Sequence, residues 1–184
     1  MASAQTLSEA DRRRVALWAA DCAERVLPLF EADAPEDDRA RDAVARARAF
    51  GRGELDAAGE IRRRFVAGRA AGSARSPAAV AAARSAGQAS GVAHMGAHAL
   101  GAAGYAALAA ELAAADDPEL ARRAEVRWQL EHMTAETRAA LSRLPLLGQD
   151  PSGPLGRGLL TTGALGESIR DLQAGLGRSP DRAV

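Results

Sequence analysis

Two imidazoles stand four residues apart in the run His94-Met95-Gly96-Ala97-His98. On a helix that spacing puts both rings on one face, where they could share a metal ion or line one pocket. The run lacks the Glu of an H-E-x-x-H motif, so metalloprotease chemistry fails on residue type. A metal would need a third ligand, such as Asp21 or Glu24 from a facing helix, and no cofactor is expected. On a helical wheel Gly87, Gly91, His94, His98, Gly101 and Tyr105 share one narrow sector. A pocket there would have Trp18, Asp21 or Cys22 on its opposite wall, and a His pair suits general acid–base work near neutral pH. These six, His94, His98, Tyr105, Trp18, Asp21 and Cys22, are the candidate ligand-binding residues. The bland alternatives are packed, hydrogen-bonded histidines and a Cys22 that is a small core residue beside Trp18. Asp21 then pairs with an arginine.

Other chemistry is poorly supported. Arg12-Arg13-Arg14 and Arg62-Arg63-Arg64 each point three ways on a helix, so neither makes a phosphate-binding patch. Gly51-Arg52-Gly53 and the glycines from 153 to 163 match no phosphate-loop spacing. No Ser-His-Asp arrangement is recognisable.

The elements that must position these residues are helices. Of 184 residues, 47 are Ala, only 3% are aromatic, and every one of the 24 basic residues is Arg. Ala is the best helix former, whereas strands want β-branched and aromatic residues. The formal charge is zero, which argues against a dedicated nucleic-acid binder and against docking on anionic lipid. One cysteine excludes an intramolecular disulfide. The N-terminus lacks the apolar region of a secretory signal, and the longest apolar run, residues 92–115, is interrupted by two histidines. A cytoplasmic protein is expected, with no membrane and no nucleic-acid partner.

Ser8 starts a first helix with Val15, Trp18, Cys22, Val26 and Leu29 on one face and Pro28 in its last turn. A second helix follows Pro35 and stops at Gly51-Arg52-Gly53. A third spans about Glu54 to Ala71, anchored by Leu55, Ile61 and Phe65. Ser76-Pro77 opens a helical stretch reaching Ala115, with a break expected near Gly101–Gly104. Asp117-Pro118 and Thr134 start the last two, ending near Leu144-Pro145. The expectation is an all-α, Ala-rich bundle of about six or seven helices over residues 8–144. Residues 145–163 read as linker. Leu165, Ile169, Leu172 and Leu176 then mark a short amphipathic helix, marginal unless something holds it.

Trp18-Ala19-Ala20-Asp21-Cys22-Ala23-Glu24-Arg25-Val26-Leu27-Pro28-Leu29-Phe30-Glu31 resembles the opening of the Imm-5 like immunity proteins common in actinobacteria. Pro35-Glu36-Asp37-Asp38-Arg39 with Ala43-Val44 resembles their acidic turn. Gly87-Gln88-Ala89, Ala93-His94-Met95, His98-Ala99-Leu100 and Tyr105-Ala106-Ala107 complete the pattern, which covers about residues 10–145. Arg39-Ala40-Arg41 departs from it where Arg-Pro-Arg is expected. The resemblance implies a small all-α protein that binds and neutralises a toxin. The alternative, from the residues themselves, is a small-molecule-binding protein or small enzyme of specialised metabolism with an inter-helix pocket lined by the His pair. A homodimer is compatible with the sequence, but nothing in it specifies one.

Overall fold

The computed structural model describes residues 3–177, apart from the side chains of residues 63–65 and 67. The anchor expected at Phe65 and the arginines at 63 and 64 therefore lie outside the described side chains. Eight α-helices are seen among the described residues: α1 (Glu9–Asp33), α2 (Arg39–Gly51), α3 (Ala57–Gly68), α4 (Pro77–Gly91), α5 (His98–Ala113), α6 (Pro118–Glu131), α7 (Ala135–Leu141) and α8 (Gly163–Leu176). Short 3-10 turns lie at Ala70–Gly72 and Leu159–Thr161. The chain is all-α, as its composition implies. No described helix is long and apolar enough to cross a membrane.

Local chemistry sets most helix starts. The side-chain oxygens of Ser8, Ser76, Asp117 and Thr134 accept hydrogen bonds from the amides of Asp11, Ala79, Leu120 and Thr137, three residues on. Each satisfies an amide that the first helical turn leaves without a partner. Pro77 and Pro118 then occupy first-turn positions, where the missing N–H costs nothing. Pro28 lies inside α1, which continues past it to Asp33.

Helices α1, α4 and α5 form the centre. α2 and α3 pack on the α1–α4 side, α6 and α8 flank α5, and α7 rests on α1. The core is mostly alanine, with Phe30, Phe50, Leu100, Leu141 and Ile169 as its larger fully buried members. An Ala buries little area, so these few large side chains carry much of the hydrophobic stabilisation, at about 25 cal/mol per Å².

The helical stretch from Ser76 breaks at residues 92–97, not at Gly101–Gly104. Gly101 and Gly104 lie inside α5, where their missing side chains admit neighbours. A Cβ on Gly104 would sit 2.8 Å from Ile169 Cγ1. Here glycine thins a wall, and the helix absorbs the local cost of about 1 kcal/mol relative to Ala.

The described residues after Pro145 are built into this core. Leu155 and Leu160 are buried, and α8 lays Leu165, Ile169, Leu172 and Leu176 against the bundle. Arg122 of α6, only 4% exposed, ties this helix down: its guanidinium reaches Glu111 of α5 at 3.2 Å and Asp171 of α8 at 3.2 Å. The hydrophobic face of α8 supplies the reason for its order, since a short helix gains its stability from tertiary packing.

The N-terminal stretch clasps two loops together. Gln5, 1% exposed, donates from Nε2 to Asp150 Oδ2 (2.6 Å) and to the Ser152 carbonyl (2.8 Å), and accepts the Leu155 amide at Oε1 (2.9 Å). The carbonyls of Gln5 and Thr6 accept the amides of Ala97 and Gly96, each at 3.0 Å. Leu7 takes a left-handed φ of 60°, unfavourable for a branched side chain, and its side chain packs where a Cβ on Gly96 would fall. Removing the Gln5 amide strands an amide and a carboxylate around it. Gln5→Ala is expected to cost about 2–3 kcal/mol and to lower Tm by roughly 4–12 °C for a chain of this size. Thermal unfolding checks this, and an unchanged Tm would remove Gln5 from the frame.

Candidate functional site

Helices α4 and α5 form an antiparallel hairpin in which Ser85 Oγ donates to the Ala102 carbonyl at 2.8 Å. The close approach is permitted by glycine. A Cβ on Gly91 would meet the His98 ring at 2.9 Å, and one on Gly101 would meet Gln88 Oε1 at 2.5 Å. The hairpin leaves a cleft of about 510 Å³ on its outer side.

Its floor along α4 is Arg84, Gly87, Gln88 and Gly91, spaced by three, one and three residues, so all four face one way. From α5 come His98 and Tyr105, two turns apart, and the 92–97 turn contributes His94. Gly68 at the end of α3 and Leu159 of the second 3-10 turn complete the rim. A second hollow of about 300 Å³ adjoins it, sharing Arg84 and Tyr105 and continuing to Val80, Leu108 and Leu112.

The two histidines do not lie on one helical face. His94 sits in the turn and His98 is the first residue of α5, because the helix breaks between them. Their ring centroids are nonetheless 6.5 Å apart, and both line the cleft. His98 Nδ1 is 2.8 Å from Gln88 Oε1; a carbonyl oxygen only accepts, so Nδ1 carries the proton. His94 is exposed and His98 partly buried. Among the described residues, no group of three His, Cys, Asp or Glu side chains converges as a metal would require.

The other three candidates are placed elsewhere. Trp18 is buried between α1 and α6, donating its indole N–H to the Gln129 carbonyl at 2.9 Å. Cys22 is fully buried, and desolvation, with Glu125 and Asp21 nearby, pushes its thiol well above the ordinary range. It is therefore a protonated core residue at neutral pH. Asp21 is exposed and pairs with Arg48 at 2.7 Å, a guanidinium also held by Glu24 at 2.8 Å. None of the three lines the cleft. The side chains that join the histidines and Tyr105 in its lining are instead those of Arg84, Gln88 and Leu159.

Arg84 and Gln88 were within reach of the sequence, since both fall on the α4 face that carries Gly87 and Gly91. Leu159 was not. It lies in a Gly- and Pro-rich stretch with no periodicity, and reaches the rim only because α8 and the Gln5 clasp return the chain to the bundle.

Two glycines in α5 separate the packing of the cleft from that of the core. Gly101→Ala presses on the end of a flexible Gln88 side chain, so its helix-propensity gain of up to about 1 kcal/mol offsets the lost Gln88–His98 hydrogen bond, about 1 kcal/mol. Gly104→Ala presses on Ile169 and Leu165 in the core and is expected to cost about 1–3 kcal/mol. Denaturant unfolding of the two variants should show a near-neutral first and a destabilised second. The reverse order would contradict this assignment of the two glycines.

Comparison with known proteins gives one result at the family level. A family model described as Imm-5 like putative immunity protein matches residues 5–136. That span runs from the clasp through α1–α6 into the start of α7 and includes both helices of the hairpin. No curated protein and no solved structure matches the chain.

Proposed function

Since the chain belongs to the Imm-5 like immunity family, matched over more than two thirds of its length, we propose that it neutralises a protein toxin in the cytoplasm by binding it. The family match carries this reading. The character of the cleft supports it. Arg84 and Tyr105 are of types that dominate binding energy at protein interfaces. Leu159, 63% exposed, and Leu112, 46% exposed, offer apolar area at the rims of the two hollows. The Nδ1 of His98 is bonded to an amide oxygen and not to a nucleophile awaiting activation.

The test is a titration of a toxin encoded beside this gene with the purified chain. Binding predicts that toxin activity falls linearly to zero at one equivalent, with an equimolar complex on gel filtration. Recovery at substoichiometric amounts, with the toxin chemically altered, would instead mean catalysis. Full toxin activity at excess chain would contradict the reading outright.

The dimensions of the cleft favour a second reading. A hollow of about 510 Å³ lies within the range of small-molecule sites, which are mostly apolar with a few convergent polar groups. In this reading His94, His98 and Tyr105 face a small ligand.

A further inference from the structure

We infer that the α4–α5 cleft is a binding site for small amphiphilic monocarboxylates, molecules with one anionic head and an apolar body. The inference rests on the small-molecule reading of the cleft and is independent of toxin capture.

Charge points to an anion. Positive and negative side chains are equal in number in this chain, and Arg13, Arg25, Arg46 and Arg48 are all ion-paired. Arg84, an exposed side chain, has no such partner among the described residues, and none of those residues brings a carboxylate to either hollow. A guanidinium fork left open in a carboxylate-free cleft matches the two oxygens of a carboxylate. Among the described residues one permanent cation, Arg84, lines the main hollow, which suits a single charge better than a phosphate dianion.

Tyr105 supplies the independent observation. It is 97% buried by virtue of its ring, being 3% exposed, and it lines both hollows. Its hydroxyl makes no hydrogen bond within the described chain. The oxygen is not among the enclosed, unpartnered polar atoms, so it opens onto the cleft and is available to a ligand. The Arg84 guanidinium carbon lies 5.8 Å from the same ring's centroid, so a cation and a free hydroxyl are presented together. Gln88 adds an amide nitrogen, because its oxygen is already used by His98.

The second hollow supplies the apolar body. It begins at the same Arg84 and Tyr105 and continues over Val80, Leu108 and Leu112, with Arg75 as a second cation in its lining. A head held at the junction therefore leaves its tail in contact with aliphatic side chains. An isolated anion would use only half of what is built.

Octanoate tests this on the full chain, with octanamide and octylamine as neutral and cationic counterparts. Saturable one-site binding of octanoate is expected by calorimetry, with amide shifts at Gly87, Gly91, His98 and Leu108 in NMR spectra. Both counterparts should bind at least about tenfold more weakly, as for loss of a charge-assisted hydrogen bond. Arg84→Gln should weaken octanoate by about tenfold. Tyr105→Phe, which keeps the ring in place, should weaken it by roughly three- to tenfold. Arg123→Gln on α6, outside the cleft, should leave it unchanged. If octanamide binds as tightly as octanoate, the cleft takes small molecules but the carboxylate assignment is overturned. If both cleft variants fold and retain wild-type affinity, the site is elsewhere and the assignment is again overturned. If no probe binds, the small-molecule reading fails with it.

Discussion

Helices α4 and α5 can approach as they do because the residues between them have almost no side chains. Protein interiors pack as densely as organic crystals, so a seam of Gly, Ala and Ser must close until backbone meets side chain. Gly91 receives the His98 ring and Gly101 receives the Gln88 amide. The groups too large for the seam are displaced to its outer edge. That edge is the cleft. Its shape thus follows from what the seam excludes, and its chemistry from the few polar residues beside it.

An alanine core brings a corresponding weakness. Thin helices bury little apolar area per residue, and the structure adds fixed polar ties at its margins. Gln5 joins the N-terminus to the 150–155 loop while its own carbonyl holds the turn that carries His94. Arg122 joins α5, α6 and α8. Both ties act on the segments that form the rim of the cleft, so stability and site geometry are coupled through them. Lowering the order of residues 145–176 would release Leu159 as well as α8.

The fold class was legible because alanine excess and capping residues are local signals. Ser8, Ser76, Asp117 and Thr134 announce helix starts in the sequence and act as caps in the structure. The break before α5 was not legible. Gly101 and Gly104 look like helix breakers, yet glycine that admits a neighbour and glycine that ends a helix are the same letter, and only the partner distinguishes them. The spacing of His94 and His98 suggested one helical face; a turn and a helix start bring them to one cleft by another route. Trp18 and Cys22 share a face with core residues, and that face is turned to α4, α5 and α6 rather than to the histidines' cleft. Leu165, Ile169, Leu172 and Leu176 showed a helix by their spacing, but that α5 would receive it at Gly104 depends on tertiary contact alone.

The seam's hydrogen bond between Gln88 and His98 offers the most direct test of the account. Nitrogen-15 NMR of the histidine rings distinguishes which ring nitrogen carries the proton in the neutral form. With the Gln88 amide oxygen held 2.8 Å from Nδ1, neutral His98 should be the Nδ1–H tautomer. A neutral His98 protonated at Nε2, with Nδ1 bare, would mean that the Gln88 oxygen does not accept from this ring and that the contact across the seam is not the one described.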